Sequence, residues 1–438
     1  MNRRLWLPLL AATLLAGLQQ QLLLRRPPRL LEIRGLPPGS GAAALELRFS
    51  RPMAVDSLRE GLQLQPSLRF QLQGDGQRLR LQLPAGQTIP GPLRLMLAGR
   101  DGRGQALRPE TVVWDPRPAL VAARPAGPVD QLQRWDGRRW QTLATTGGPV
   151  QTLLPLGDGR GLALVTAADP MALQVWRLSV AADGRVQHHR RLGNEPLLFA
   201  HLSSDQQGSL LIQAASQLMG EVEVTLWPAQ GQPQRLDLKA SGPIRLLPQG
   251  SRVVLPERDG LALRTLPPLP PRRSFLPGSR DLSSFCPEAG RALLVRHWPD
   301  YRRSIEWLEP GRPPRQLWIG EDAVVATACA GGGEGLWALL IRGVSQPRLD
   351  LLTLDRSGQT PRRLALEGLE LEPGTGLFHD PTRQQLLLQV REQGGARGGS
   401  RAALVNLRQG AVELLPGEVR QLGWLPSRQL IRVPGRAP

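Results

Sequence analysis

Three arginines stand at matching points of a sequence repeat and form the strongest candidate binding site. The apolar stretches LLVR, LLIR and LQVR end at Arg296, Arg342 and Arg391. A guanidinium binds a carboxylate, sulfate or phosphate through paired hydrogen bonds. If the stretches are equivalent strands of neighbouring sheets, the arginines lie on one arc. The pattern therefore predicts a surface that binds an anionic glycan or the acidic surface of a protein.

The loop after Arg296 adds polar and aromatic groups to this predicted surface. Tyr301, Arg302 and Arg303 follow within a few residues and extend the candidate site. The alternative is that the arginines only solvate strand ends or pair with nearby acidic residues. The acidic residues available for such pairing are Asp300, Asp350 and Glu392.

Cys286 and Cys329 are the chain's two cysteines. Each ends the first strand of a predicted hairpin, in adjacent repeats, so the two residues are expected to be neighbours. In an oxidising compartment they would form a disulfide. The alternative is two small buried residues whose sheets lie too far apart for the bond.

Motifs for nucleophilic, zinc-dependent and nucleotide-dependent catalysis are missing from the chain. This favours a protein that is not an enzyme and needs no cofactor, and no metal site is predicted. The alternative is a glycan or ester hydrolase with a pair of carboxylates. These would lie at the axial end of the ring of sheets that the repeat predicts. Its candidate acids are Glu195, Glu321, Asp322, Glu370 and Glu418.

The elements that position these residues are short β-hairpins, fourteen of them along residues 129–433. One kind joins two apolar strands, as in VQTLLPLGDGRGLALV from Val150, and the other alternates apolar and polar residues, as in LDLLTLDRSGQTPRRLAL from Leu349. One hairpin of each kind makes a four-stranded sheet every 40–50 residues or so, a period typical of β-propeller blades.

The ends of this repeat complement each other. The region begins with a lone hairpin at Leu132–Ala144 and ends with a lone hairpin at Val419–Val433. Together they would complete a seventh blade. We therefore predict a seven-bladed propeller closed by two strands from each end.

The turns of the alternating hairpins resemble those of known bacterial propellers. D-x-x-G at Asp355–Gly358 and D-G at Asp183–Gly184 and Asp136–Gly137 are similar to TolB-type and WD40-like repeats. The resemblance covers residues 129–433 and implies the propeller fold. It implies little about activity.

A separate unit precedes the ring at residues 29–116. Its short alternating segments are typical of a β-sandwich. The F-S-x-P-M sequence at Phe49–Met53 and AGRDGRGQAL at Ala98–Leu107 resemble a bacterial Ig-like domain. Residues 117–128 contain several prolines and are predicted to be a stiff linker. The whole chain is thus expected to be all-β.

The first 26 residues predict export. Two arginines precede an apolar run at 5–18, which 22–24 prolong to the length of a membrane span. Residues 1–26 are therefore a signal peptide or signal anchor. The rest would lie in the bacterial periplasm or cell envelope, held to the inner membrane by residues 5–24 or secreted after cleavage.

Charge sets limits on the partners. The formal net charge is +18, and nearly all the positive charge comes from arginine dispersed along the chain. A strongly basic balance suits an acidic partner. The alternative is a GC-rich coding bias, which produces abundant Arg, Ala, Gly, Pro and Leu with almost no Lys. The predicted export and the lack of a recognition motif argue against nucleic acid. We expect a monomeric, envelope-located binding or scaffold protein.

Overall fold

The computed structural model describes most of the chain beyond the N-terminal segment. The described residues are 12–17, 19, 26–37, 39–169, 172–181, 184–217, 220–331, 334–343, 347–358, 362–394, 399–427 and 429–433. Residues 12–17 are helical, but most of the predicted signal or anchor segment lies outside this range. Within the described part, none of the helices has the length and apolarity needed to cross a membrane.

Two four-stranded antiparallel sheets form an N-terminal sandwich. The strands are β1 (Leu30–Leu36), β2 (Ala43–Phe49), β3 (Gln63–Gln65), β4 (Gln71–Gly74), β5 (Arg78–Leu83), β6 (Leu93–Leu97), β7 (Glu110–Asp115) and β36 (Gln429–Val433). Their orders in the two sheets are β1-β2-β5-β4 and β3-β6-β7-β36, and a short helix, Val55–Gly61, connects β2 to β3. Alternation places Leu45, Leu47, Leu79 and Leu81 inside one core that both sheets share.

The two motifs predicted for this unit meet in the structure. Met53 forms a β-bridge with Asp101, and Phe49 is fully buried. The Asp101 carboxylate is also buried, and it accepts the backbone N–H groups of Arg103 and Gln105 at 2.9 and 2.8 Å. The motif residues therefore hold a loop against the core.

Residues 119–425 form six antiparallel sheets that follow one another along the chain with the architecture of a β-propeller. The first sheet comprises β8 (Ala119–Ala126), β9 (Val129–Trp135), β10 (Trp140–Thr145) and β35 (Gln421–Leu425). The second has seven strands: β11 (Val150–Pro155), β12 (Gly161–Asp169), β13 (Ala172–Val180), β14 (Val186–Ser204), β15 (Leu210–Ser216), β16 (Val222–Trp227) and β17 (Gln234–Leu236). The third comprises β18 (Arg245–Leu246), β19 (Arg252–Glu257), β20 (Gly260–Thr265) and β21 (Arg273–Pro277). The 19-residue β14 is the last strand of one four-stranded set and the first of the next.

Two of the remaining sheets have four strands, and the last has five. They comprise β22 (Arg280–Phe285), β23 (Ala292–His297), β24 (Arg303–Leu308) and β25 (Arg315–Gly320); β26 (Ala323–Cys329), β27 (Leu336–Arg342), β28 (Arg348–Leu354) and β29 (Arg362–Ala365); and β30 (Leu369–Leu371), β31 (Phe378–Asp380), β32 (Gln385–Glu392), β33 (Arg401–Asn406) and β34 (Val412–Leu414). The last sheet has five strands because both β30 and β31 pair with β32. Second strands such as β27 and β32 are apolar on both faces because neighbouring sheets cover both.

The closing sheet corrects two predictions. Its order is β10-β9-β8-β35, so three strands come from the start of the ring and one from its end, and the predicted closure by two strands from each end is wrong. Residues 117–128 are not a linker, because β8 carries a buried ALVAA core. The linker was predicted from the prolines of this segment. In the structure Pro118 lies just before the strand and Pro125 near its end, where proline is tolerated.

The last strand also departs from the prediction. β36 leaves the ring and pairs with β7 of the sandwich, with Ile431 opposite Val113. Leu430 packs against the sandwich core. Pairing covers an edge of β7 that would otherwise present free backbone groups. The sandwich and the ring are therefore connected through both β8 and β36.

The sandwich also touches one face of the ring. We call this the sandwich face; there the first strand of each sheet ends and the second begins. The buried Ile89 donates its N–H to the Thr382 carbonyl at 2.8 Å. The Arg383 guanidinium donates to the Pro118 carbonyl at 3.0 Å and pairs with Asp380 at 2.7 Å. The opposite face, where second strands end, is the arginine face.

A fully buried carboxylate stabilises the closing sheet on the arginine face. Asp130, at the start of β9, pairs with Arg420 at 3.0 Å and accepts the Val150 N–H at 2.7 Å. Arg420 directly precedes β35. The one carboxylate therefore ties together the beginning of the ring, its end and the next sheet.

We expect Asp130→Ala to lower the free energy of unfolding by about 3 kcal/mol, because it leaves a buried N–H without an acceptor and a guanidinium without a partner. Arg420→Gln should cost less, because the Asp130 carboxylate keeps the Val150 N–H as a donor and Arg420 itself is partly exposed. Urea unfolding of both variants, with Arg138→Gln as the exposed control, checks this. Equal losses from Asp130→Ala and Arg420→Gln would contradict it.

Cys286 and Cys329 lie on neighbouring sheets. Cys286 follows β22, Cys329 ends β26, and their bonded sulfurs join Cα atoms 5.4 Å apart. Beside them, the Ser284 and Thr327 hydroxyls are 2.7 Å apart. The first strands of these two sheets are therefore linked both covalently and by hydrogen bonding.

We expect protein purified without reductant and then denatured to titrate with no free thiol. The bond spans 43 residues, so the loop-entropy model assigns it roughly 4 kcal/mol of stability. Thiol counting before and after reduction, followed by urea unfolding of each form, measures both quantities. Two free thiols without reduction would reject the bond.

Candidate functional site

The three predicted arginines occupy the same end of successive second strands. Arg296 lies next to the end of β23, Arg342 ends β27, and Arg391 lies next to the end of β32. Each of these strands runs from the sandwich face to the arginine face. The structure thus places all three arginines on the arginine face, in three consecutive sheets.

Arg296 is partly engaged inside the protein. Its guanidinium stacks on the Trp298 ring at 3.8 Å and lies 3.7 Å from the Glu306 carboxylate. Glu306 is only 3% exposed and pairs more closely with Arg280, at 2.6 Å. A buried carboxylate needs such partners. Arg296 therefore has a structural role in addition to any role in binding.

The other two arginines differ from each other. Arg391 forms an ion pair and a 3.0 Å hydrogen bond with Glu372. Arg342 is exposed, and no ion pair or hydrogen bond joins its guanidinium to another described residue. Asp350, which sequence reasoning offered as a pairing candidate, is buried and lies 3.6 Å from Arg363. Arg342 is thus the member of the arc with most freedom to contact a ligand.

The loop between β23 and β24 stands above this arc. Tyr301 is 85% exposed and has a left-handed backbone with φ 65°. Arg302 pairs with Asp300 at 2.6 Å, and Arg303 donates to the Tyr301 carbonyl at 2.8 Å. Polar contacts within the loop therefore fix its backbone, and the Tyr301 ring is exposed to solvent.

Two of the five acidic residues of the hydrolase alternative, Glu195 and Asp322, have local partners. The Glu195 carboxylate accepts the Ser216 hydroxyl at 2.5 Å, and Asp322 pairs with Arg363 at 2.8 Å. They belong to different sheets. Across the described residues, no group of three or more His, Cys, Asp or Glu side chains is arranged to hold a metal ion.

Sequence reasoning missed that an arginine and a histidine on two first strands influence each other. Arg245 lies in β18 and His201 in β14, and the Leu246 N–H donates to Ser203 of β14 at 2.8 Å. Burial lowers the pKa of His201, and the Arg245 charge lowers it further. The repeat predicts a hairpin from Gly242 that contains Arg245, but nothing in this short segment marks the arginine as a site residue.

His379, in β31, is a second polar group that the sequence did not single out. Its ring lies 4.6 Å from the Trp337 ring, and its buried Nε2 makes no hydrogen bond with any residue in the described ranges. Burial lowers the pKa of this imidazole to about 4. Three residues after His379, the Thr382 carbonyl accepts the Ile89 N–H of the sandwich.

Comparisons with known proteins support a likeness of fold. No family model and no curated protein matches the chain. The uncharacterized protein lmo1340 from Listeria monocytogenes EGD-e superposes with a TM-score of 0.51 at 10% identity, over 69% of this chain and 92% of that one. TolB from Acinetobacter baumannii gives 0.42 at 15%, over 78% and 82%. The β-propeller domain of the Trilobed protease from Pyrococcus furiosus gives 0.46 at 11%, over 75% and 96%.

The low pKa of His379 predicts a pH-dependent stability. Unfolded, the imidazole titrates near 6.5, so its neutral burial contributes full stability above that pH, and the contribution falls as pH drops towards 4. His379→Leu should flatten the pH dependence of the melting temperature between pH 7 and 4, whereas His188→Leu, at an exposed site, should not. An unchanged slope in His379→Leu would contradict the assignment.

Proposed function

We propose that the chain is a non-enzymatic binding or scaffold protein of the bacterial cell envelope that uses the arginine face to bind an anionic partner. In this proposal residues 29–116 are an Ig-like domain, and the six sheets form a seven-bladed ring in which β14 serves two blades. Residues 1–26 act as a signal peptide or signal anchor and direct the protein to the periplasm. The partner is an envelope protein or glycan, recognised through its carboxylate, sulfate or phosphate groups.

The observation that carries this proposal is the one-sided attachment of the sandwich. Ile89 and Arg383 make their contacts on the sandwich face, and the chain leaves the ring there to form β36. The contacts identified between the two units therefore all lie at that face. A partner can approach the arginine face without displacing the sandwich.

The side chains of the arginine face suit an anionic partner. Arg342 has a guanidinium free of internal ion pairs with described residues, and Tyr301 offers an exposed ring close to Arg302 and Arg303. Arginine and tyrosine are enriched where proteins bind one another, because they combine a large contact area with directed hydrogen bonds. A rigid ring keeps such groups in a fixed arrangement.

The local pairing of Glu195 and Asp322 favours binding over hydrolysis. Glu195 is occupied by Ser216 and Asp322 by Arg363. A glycosidase needs two carboxyl groups facing one scissile bond, one of them with a raised pKa. The described contacts instead resemble ordinary solvated or paired carboxylates at strand ends.

The test replaces Arg296, Arg342 and Arg391 together by Gln. We expect the triple variant to lose at least ten-fold in retention of envelope partners or anionic glycan from a membrane fraction, and Arg342→Gln alone to account for the largest single share. Retention by the wild type should fall as salt rises, because exposed charges are screened.

The matched control is Arg34→Gln with Arg69→Gln and Arg103→Gln, three exposed arginines of the sandwich with the same charge change. Circular dichroism confirms that both triple variants are folded. Equal retention by wild type and the arginine-face variant would reject the proposal, as would an equal loss in the control.

A further inference from the structure

A groove on the outer part of the sandwich face has no part in the proposed function. It is an open depression of about 640 Å³ between the sheets β22–β25 and β26–β29. The described residues lining it are Trp307, Glu309, Arg312, Pro313, Pro314, Arg315 and Arg356. Three guanidiniums therefore line the groove with a single carboxylate.

The carboxylate of Glu309 is the point on which these cations converge. It lies 3.3 Å from Arg356, 3.6 Å from Arg312 and 3.5 Å from Arg291, which stands just behind the groove and also pairs with Glu288. The Trp307 indole and these guanidiniums hold the pKa of Glu309 below its usual range. Glu309 is therefore ionised at neutral pH and neutralises only part of the positive charge.

Several donors remain available around that carboxylate. The Arg312 side chain is 77% exposed and Arg356 is 46% exposed. Arg315 uses one guanidinium nitrogen to donate to the Arg356 carbonyl, which orients the side chain along the groove. The Trp307 indole N–H is buried and, although close enough to Glu309 to affect its pKa, completes no hydrogen bond with a described residue.

We propose that this groove binds a small phosphate monoester, with the phosphate held by Arg312, Arg315 and Arg356 and its organic part against Pro313 and Pro314. The lining carries two more positive charges than negative ones, which matches a dianionic phosphate. Guanidinium groups donate paired hydrogen bonds to phosphate oxygens. The proline rings supply a rigid apolar wall. This site is independent of the arginine face.

The Glu309 carboxylate leads to a prediction in which removal of a charged side chain strengthens binding. Glu309 competes with the ligand for the same guanidiniums, so removing its charge should strengthen binding. Calorimetric titration with glycerol 3-phosphate at constant ionic strength is the measurement. We expect Glu309→Gln to bind it several-fold more tightly than the wild type, and the Arg312→Gln, Arg315→Gln double variant to bind at least ten-fold more weakly.

Matched controls separate specific binding from general charge. Arg138→Gln with Arg139→Gln makes the same charge change in the corresponding turn of the closing sheet, where both residues are exposed, and should leave the affinity unchanged. Glycerol should not bind. Because the arginine-face residues are intact in all these variants, retention of envelope partners should persist, which keeps this test distinct from that of the proposed function.

Three calorimetric outcomes would overturn the proposal. In the first, titration with glycerol 3-phosphate gives no more heat than titration with potassium chloride at the same ionic strength. In the second, the control pair Arg138→Gln, Arg139→Gln loses as much affinity as the Arg312→Gln, Arg315→Gln variant. In the third, folded Glu309→Gln protein binds more weakly than the wild type. Vesicles containing phosphatidylglycerol form a second arm. If they bind in a manner that depends on Arg312 and Arg315 while glycerol 3-phosphate does not, the groove recognises a lipid headgroup and the small-ligand proposal fails.

Discussion

The pairing of β35 with β8 is the interaction on which the rest of the ring depends. A sequence of sheets that is not closed leaves two edges, and each edge exposes apolar faces as well as free backbone groups. Here β35, the last strand of the ring, pairs with β8 and so completes the sheet formed by β8, β9 and β10. In this pairing Leu422 lies opposite Ala122. The buried Asp130 reinforces that junction because it binds Arg420 on one side and Val150 on the other.

Closure has a consequence for the sandwich. Once β35 has joined the first sheet, the chain emerges at the sandwich face, and β36 adds to the sandwich as the fourth strand of the sheet β3-β6-β7-β36. Folding of the two units is therefore coupled through their sequence-distant ends. The buried Ile89 and the Arg383 contact to Pro118 add non-covalent support at the same face. The sandwich thus stiffens the ring at its closure and leaves the arginine face clear.

The basic character of the chain takes two different forms in the structure. Many arginines are paired in place, as Arg280 is with the buried Glu306, and these serve the fold. Others, such as Arg342 on the arginine face and Arg312 in the groove, are exposed, and their positive charge is accessible to a ligand. Sequence reasoning could count the arginines but could not divide them into these classes, because pairing depends on residues far apart in the chain.

Local patterns in the sequence determined most hairpins of the ring and the position of each arginine in its repeat. Period-two alternation and turn residues are short-range properties, so the second strands ending in Arg296, Arg342 and Arg391 could be aligned with one another from the sequence alone. The same alignment placed Cys286 beside Cys329. Only the tertiary structure decided how the ends close, because ALVAA at 119–123 is as short as many loop segments, and its partner lies about 300 residues away. It also decided that β36 belongs to the sandwich and that Glu309 draws guanidiniums from two sheets. Those outcomes follow from edge pairing and charge burial in three dimensions, which no local period encodes.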